Sequence, residues 1–162
     1  MTKILLLNGP NLQLLGRREP EIYGRVTLDE IVAAVTKEAA VYGAEVEAFQ
    51  SNWEGALVDR IGGAMTDGTD GIIINPAALT HASVAVRDAL AAVHVPAVEV
   101  HLSHVDAREP FRQVRLTTPV CIGVIAGFGA YSYILALQAL MDHLKMGKKQ
   151  QRGNAARKGV KI

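Results

Sequence analysis

The chain has 162 residues, 49% of them apolar and only 5% aromatic, with a formal net charge of +1. That describes one α/β-type domain with a core of small aliphatic side chains; no apolar run is long enough to span a bilayer, and the single cysteine, Cys121, excludes an intrachain disulfide and suits a reducing cytoplasm. Residues 145–162 carry seven basic residues and no acid, which leaves 10 basic against 16 acidic residues in the rest of the chain.

In chain order, five short apolar runs read as strands: KILLLN (3–8), EVEAF (45–49), GIIIN (71–75), AVEVH (97–101) and VCIGVI (120–125). Met1 opens almost directly into the first, so no signal peptide is expected. The first, third and fifth are nearly continuous hydrophobe, the pattern of strands buried on both faces of a parallel sheet. Between the first two lies TLDEIVAAVTKEAAVYG, with Thr27 as N-cap, Glu30 completing a capping box and Gly43 as C-cap. Further helices are expected near 54–66, 82–93 and 130–146. The segment 102–118, which contains Pro110, is expected to hold only a short helix. Residues 1–146 form the expected single domain. Residues 147–162, rich in Gly, Lys and Gln without apolar period, read as a flexible basic tail. The body lacks the interleaved basic and aromatic pattern of a nucleic-acid surface, and no nucleic-acid partner is expected.

The alternation predicts a three-layer α/β sandwich around a parallel sheet, with the five-stranded flavodoxin-like order 2-1-3-4-5. Asn8, Asn75 and His101 end the first, third and fourth strands. In such sheets ligands bind beyond the carboxyl ends of the strands at the switch point, which is where these polar ends converge.

The residue types narrow the chemistry. There is no Walker A motif and no dinucleotide fingerprint after the first strand; GFGAYS (127–132) reads as a strand-to-helix turn. Glu99, His101 and His104 lack the usual spacing of metal ligands, and no metal or cofactor is expected. Lys3 and Lys37 lie away from the presumed site loops and the other lysines start at 145, so a Schiff base has no obvious nucleophile. Glu99 and His101 point the same way from one strand. They are either a buried pair that satisfies a strand end or an acid–base histidine whose tautomer Glu99 sets. Arg108 and Arg112, four apart, are a substrate contact or surface charges. The amides of Leu102 and Ser103 form an anion nest or a plain turn. Local sequence alone favours a solvated loop for Arg18 and Tyr23.

Five motifs change that balance: LNGPNLQLLGRREPEIYG, FQSNWEG, DGIIINPAALTHASVAVRDAL, VEVHLSHVDAREPFR and GVIAGFGAYSYILAL. Together they resemble the type II 3-dehydroquinate dehydratases, in family order and over nearly the whole chain before the tail. The resemblance implies a cytoplasmic lyase of flavodoxin-like fold, assembled as a dodecamer built from trimers. It would convert 3-dehydroquinate to 3-dehydroshikimate by anti elimination through an enolate, without metal, cofactor or Schiff base, in shikimate biosynthesis or quinate breakdown. It implies Tyr23 as the base at C2, with Arg18 favouring its phenolate, and Asn11 stabilising the enolate. His101 would be the general acid, oriented by Glu99. Asn75, His81 and Arg112 would bind hydroxyls, the Leu102 and Ser103 amides the carboxylate, and Asp88 would reach a neighbouring subunit's site. Gly16 and Gly24 bracket an expected lid. Gln13, Trp53, His104, Asp106, Pro110 and residues 113–116 depart from the family's usual run, none at a catalytic position. The competing reading is a non-catalytic flavodoxin-like binding module that uses its basic tail to hold a partner.

Overall fold

The computed structural model describes the backbone of residues 1–158 and the side chains of residues 1–148. Strands β1 (Thr2–Asn8), β2 (Ala44–Gln50), β3 (Gly71–Asn75), β4 (Ala97–His101) and β5 (Gly123–Ala126) form one sheet of order β2-β1-β3-β4-β5. Every neighbouring pair is parallel. The helices are α1 (Pro20–Tyr23), α2 (Leu28–Val41), α3 (Glu54–Gly63), α4 (Val84–Val93) and α5 (Tyr131–Lys158).

Strand alternation divides the core in two. Ile4, Leu6, Ile73, Val98 and Val100 pack with Ile31 and Val35 of α2 and with Leu137 and Leu140 of α5. On the other face Leu5, Leu7, Ile72 and Ile74 pack with Leu57 and Ile61 of α3 and with Val86 and Leu90 of α4. Each fully buried Leu or Ile contributes about 1.5–3 kcal/mol, so the central strands are the best-anchored part of the molecule. The order 2-1-3-4-5 thus follows from giving the two most apolar runs, β1 and β3, central positions covered on both faces.

The α2 capping box forms as its sequence implies. Glu30 N donates to Thr27 Oγ1 over 3.2 Å, and Thr27 N donates to Glu30 Oε2 over 2.8 Å. Such a cap stabilises by about 1 kcal/mol.

Two strand and helix boundaries differ from expectation. The last strand begins at Gly123 rather than 120, because Thr118–Val120 forms a 3-10 turn around Pro119, which lacks an amide hydrogen for a ladder. It is the edge strand that the expected order made it, paired only to β4, but its apolar run is not buried on both faces: Val124 is exposed. The irregular segment 102–118 holds two 3-10 turns, Val105–Ala107 and Pro110–Gln113, in place of one short helix. Helix α5 continues past residue 146 to Lys158. Of the expected basic tail, residues 159–162 and the side chains from 149 onward lie outside the described residues. No helix among the described residues is long and apolar enough to cross a membrane.

Candidate active site

The site lies at the carboxyl ends of β1, β3 and β4. The β1 and β3 loops meet through Gly9 N, which donates to Asn75 O over 2.8 Å. A Cβ at Gly9 would stand 2.6 Å from the Pro76 carbonyl oxygen, so only glycine permits this approach. Asn11, two residues on, adopts a left-handed φ of 70°. Its amide donates to Asn52 Oδ1 over 2.9 Å, which ties the β1 loop to the β2 loop.

The opening loop folds back over these strand ends. Gly16 turns it at φ 87°, and Pro20–Tyr23 adds one helical turn ending at Gly24. This places the half-buried Tyr23 ring 4.8 Å from the Arg18 guanidinium carbon. The Arg108 guanidinium carbon lies 5.3 Å from the same ring. Arg18 also contacts Glu19 at 3.2 Å. Two guanidinium groups therefore stand against one phenol ring. Arg108 was an open alternative in the sequence. The tertiary structure brings it to Tyr23 and also sets its Nη1 3.4 Å from Ser103 Oγ.

His101 and Glu99 form the second functional unit. His101 Nε2 contacts Glu99 Oε1 at 2.6 Å, leaving Nδ1 as the ring nitrogen without this partner. Glu99 is fully buried. Thr80 Oγ1 donates to its Oε1 over 2.9 Å and Thr117 Oγ1 to its Oε2 over 2.8 Å. Burial alone would raise the Glu99 carboxyl, but the bonds from His101, Thr117 and Thr80 and the charge attraction of His101 outweigh it and hold the group below its ordinary value. The carboxylate is therefore retained in the core by its donors. Thr117 carried no signal in the sequence, since one hydroxyl in an irregular segment does not reveal that it meets β4.

The cavity of about 90 Å³ between these units is lined by Asn11, Arg18, Tyr23, Asn75, His81, His101, Leu102, Ser103, Arg108 and Arg112, among others. A wider depression of about 590 Å³ adjoins it across Tyr23, Ser103 and Arg108. His81 Nδ1 contacts the Val114 carbonyl oxygen at 2.7 Å. A carbonyl only accepts, so Nδ1 carries the hydrogen and Nε2 is left as the acceptor. Arg112 Nε donates to Glu109 Oε2 over 2.6 Å. Asn75 is held by Tyr133 and Ala77.

Ten of the eleven residues singled out in the sequence therefore gather here: nine line the cavity and Glu99 supports His101 from beneath. Asp88 does not. It is exposed on α4, 3.6 Å from Arg87, and does not line its own chain's cavity. His104 is likewise exposed.

Residues 2–141 match the family model described as Dehydroquinase class II. The chain belongs to that family. It is 57% identical over 143 residues to a 3-dehydroquinate dehydratase of Geotalea daltonii, covering 88% of this chain and 99% of that protein. Among solved structures it is similar to the type II dehydroquinase of Butyrivibrio crossotus, with a TM-score of 0.84 at 49% identity over 86% of this chain and 97% of that one. The type II dehydroquinase of Propionibacterium acnes gives the same TM-score at 42% identity, over 88% and 97% of the two chains. The basic stretch after residue 145 follows the end of the family match.

Proposed function

We propose that this class II dehydroquinase dehydrates 3-dehydroquinate to 3-dehydroshikimate by anti elimination through an enolate. The observation that carries the reading is the pairing in one cavity of a tyrosine between two guanidinium groups with a histidine held by a buried carboxylate.

Tyr23, as phenolate, removes the proton from C2, beside the ketone at C3. The electron pair moves onto the ketone oxygen, and Asn11 stabilises the resulting enolate through a bound water. As the enolate collapses, the C1–O bond breaks and His101 gives a proton to the departing hydroxyl, so that water leaves. Glu99 stabilises the imidazolium and holds the ring. Asn75, His81 and Arg112 bind the ring hydroxyls, and the Leu102 and Ser103 amides bind the carboxylate. Neither a Schiff base nor a metal is required, and no lysine among the described residues lines the cavity.

The reading extends to assembly as a dodecamer built from trimers, in the cytoplasm, with Asp88 serving a neighbouring subunit's site. The exposure of Asp88 away from its own cavity supports that role. The pathway served is shikimate biosynthesis, or quinate breakdown by the same reaction. The loop between Gly16 and Gly24 acts as the lid.

An ultraviolet assay for the conjugated enone product, run on purified protein with 3-dehydroquinate, tests the reading. Absorbance should rise with the wild-type chain and fail to rise with Tyr23→Phe. A folded wild-type protein that binds but never turns over this substrate would favour the binding-module alternative. Borohydride added during turnover should leave the protein mass unchanged; a trapped lysine adduct would refute the mechanism.

A further inference from the structure

A buried chain of side chains runs beneath the site, and the direction of its hydrogen bonds follows from one backbone group. Ala77 N can only donate, and it lies 3.0 Å from Asn75 Oδ1. The Asn75 oxygen therefore faces Ala77, and its Nδ2 faces the Tyr133 hydroxyl, to which it donates over 2.9 Å. The Tyr133 oxygen then accepts, so its single hydrogen goes to Asn8 Oδ1, 2.8 Å away. Asn8 is left with a buried Nδ2 that has no partner among the described residues.

Tyr133 is fully buried on α5, 125 residues along the chain from Asn8. Burial pushes its phenol up, so the hydroxyl keeps its proton and remains a single donor. Asn75 has used one Nδ2 hydrogen on Tyr133 and an oxygen lone pair on Ala77 N. Its amide therefore meets the cavity with the orientation that the relay sets and with one N–H still free to donate.

We propose that Tyr133 is a positioning residue for substrate binding: it anchors the Asn75 amide, whose direction Ala77 N sets, so that the second Nδ2 hydrogen of Asn75 meets a substrate oxygen. This rests on the reading of Asn75 as a substrate contact and goes beyond it by assigning the anchoring of that contact to a residue of α5 that does not line the cavity. Without the Tyr133 hydroxyl one Nδ2 hydrogen loses its partner and the amide loses its second anchor.

Steady-state kinetics with 3-dehydroquinate test the proposal. Tyr133→Phe keeps the aromatic packing and removes one oxygen. It should raise KM about tenfold, the effect of a lost or misdirected hydrogen bond, while kcat changes less than about threefold. In an Asn75→Ala background the same change should alter KM less than about twofold, because Tyr133 acts through Asn75. A wild-type KM in Tyr133→Phe, even with a lowered Tm, would mean that Tyr133 only fills the core. An equal rise in both backgrounds would mean that it acts by another route. Both results overturn the proposal. If Asn75→Ala alone leaves KM unchanged, the reading of Asn75 has failed, a different result from either.

Asn75→Asp gives a second test that does not require Tyr133→Phe to fold. The relay can reverse in that variant, with Tyr133 donating to the new carboxylate and the unpaired Asn8 Nδ2 turning to donate to Tyr133. The side chain then offers only oxygen to the cavity. KM should rise at least tenfold with the circular dichroism spectrum retained; an unchanged KM would overturn the proposed N–H contact.

Discussion

His101 Nε2 stands 2.6 Å from Glu99 Oε1, and Glu99, at the other side of that bond, has no exposed surface. A carboxylate in such a place holds a histidine ring in one orientation. Replacing Glu99 with Gln should lower kcat about 100-fold, and His101→Ala about 1000-fold or more, within the range typical of general acid–base groups. The enone assay measures both, with circular dichroism as the check on folding. Wild-type kcat in Glu99→Gln would show that the pair only satisfies the end of β4.

The Tyr23 ring has two guanidinium neighbours, at 4.8 Å and 5.3 Å. Removing either removes a cation that stands against the proposed base. Arg18→Ala and Arg108→Ala should each lower kcat about 10- to 100-fold in the enone assay. Wild-type kcat in either variant would show that its guanidinium only covers the ring.

Glu99 also links stability to pH. Its folded carboxyl is held below its ordinary value by the donors that outweigh burial. Its contribution is therefore fully present above the unfolded value of about 4.3 and is lost as pH falls through the lowered folded value. Denaturant melts from pH 7 down to pH 3 should show wild type losing more stability than Glu99→Gln across that acid window. Parallel curves would contradict the assignment.

Gly9 permits the closest approach between the two central loops. Gly9→Ala would place a methyl 2.6 Å from Pro76 O, where the obstacle is backbone and cannot turn aside. Overpacking of this kind costs about 1–3 kcal/mol, so a Tm lower by several degrees is expected, together with reduced kcat as Asn11 is displaced. Gly55 is the control. It lies in α3 with nothing within 4 Å of a built Cβ, and Gly55→Ala should leave Tm unchanged or raise it.

Much of this was legible in the chain because it is local. Strand and helix periods, the Thr27–Glu30 capping box and the polar ends of β1, β3 and β4 depend on neighbours a few residues apart. Those residues alone brought the topology and the position of the site within reach, and the motif resemblance supplied the proposed roles of Tyr23 and His101.

What the tertiary structure decided depends on groups far apart in sequence. Helical spacing made Arg108 and Arg112 equivalent; only the fold sets Arg108 against Tyr23 and leaves Arg112 on Glu109. Apolar character made β5 look buried on both faces, whereas at the edge position that the expected order gave it Val124 is exposed. Thr117 and Tyr133 read as an ordinary loop hydroxyl and an ordinary helix aromatic until the sheet brought Glu99, Asn8 and Asn75 to them. A buried polar atom must find its partner wherever packing delivers one, and no local pattern in the chain encodes which residue that will be.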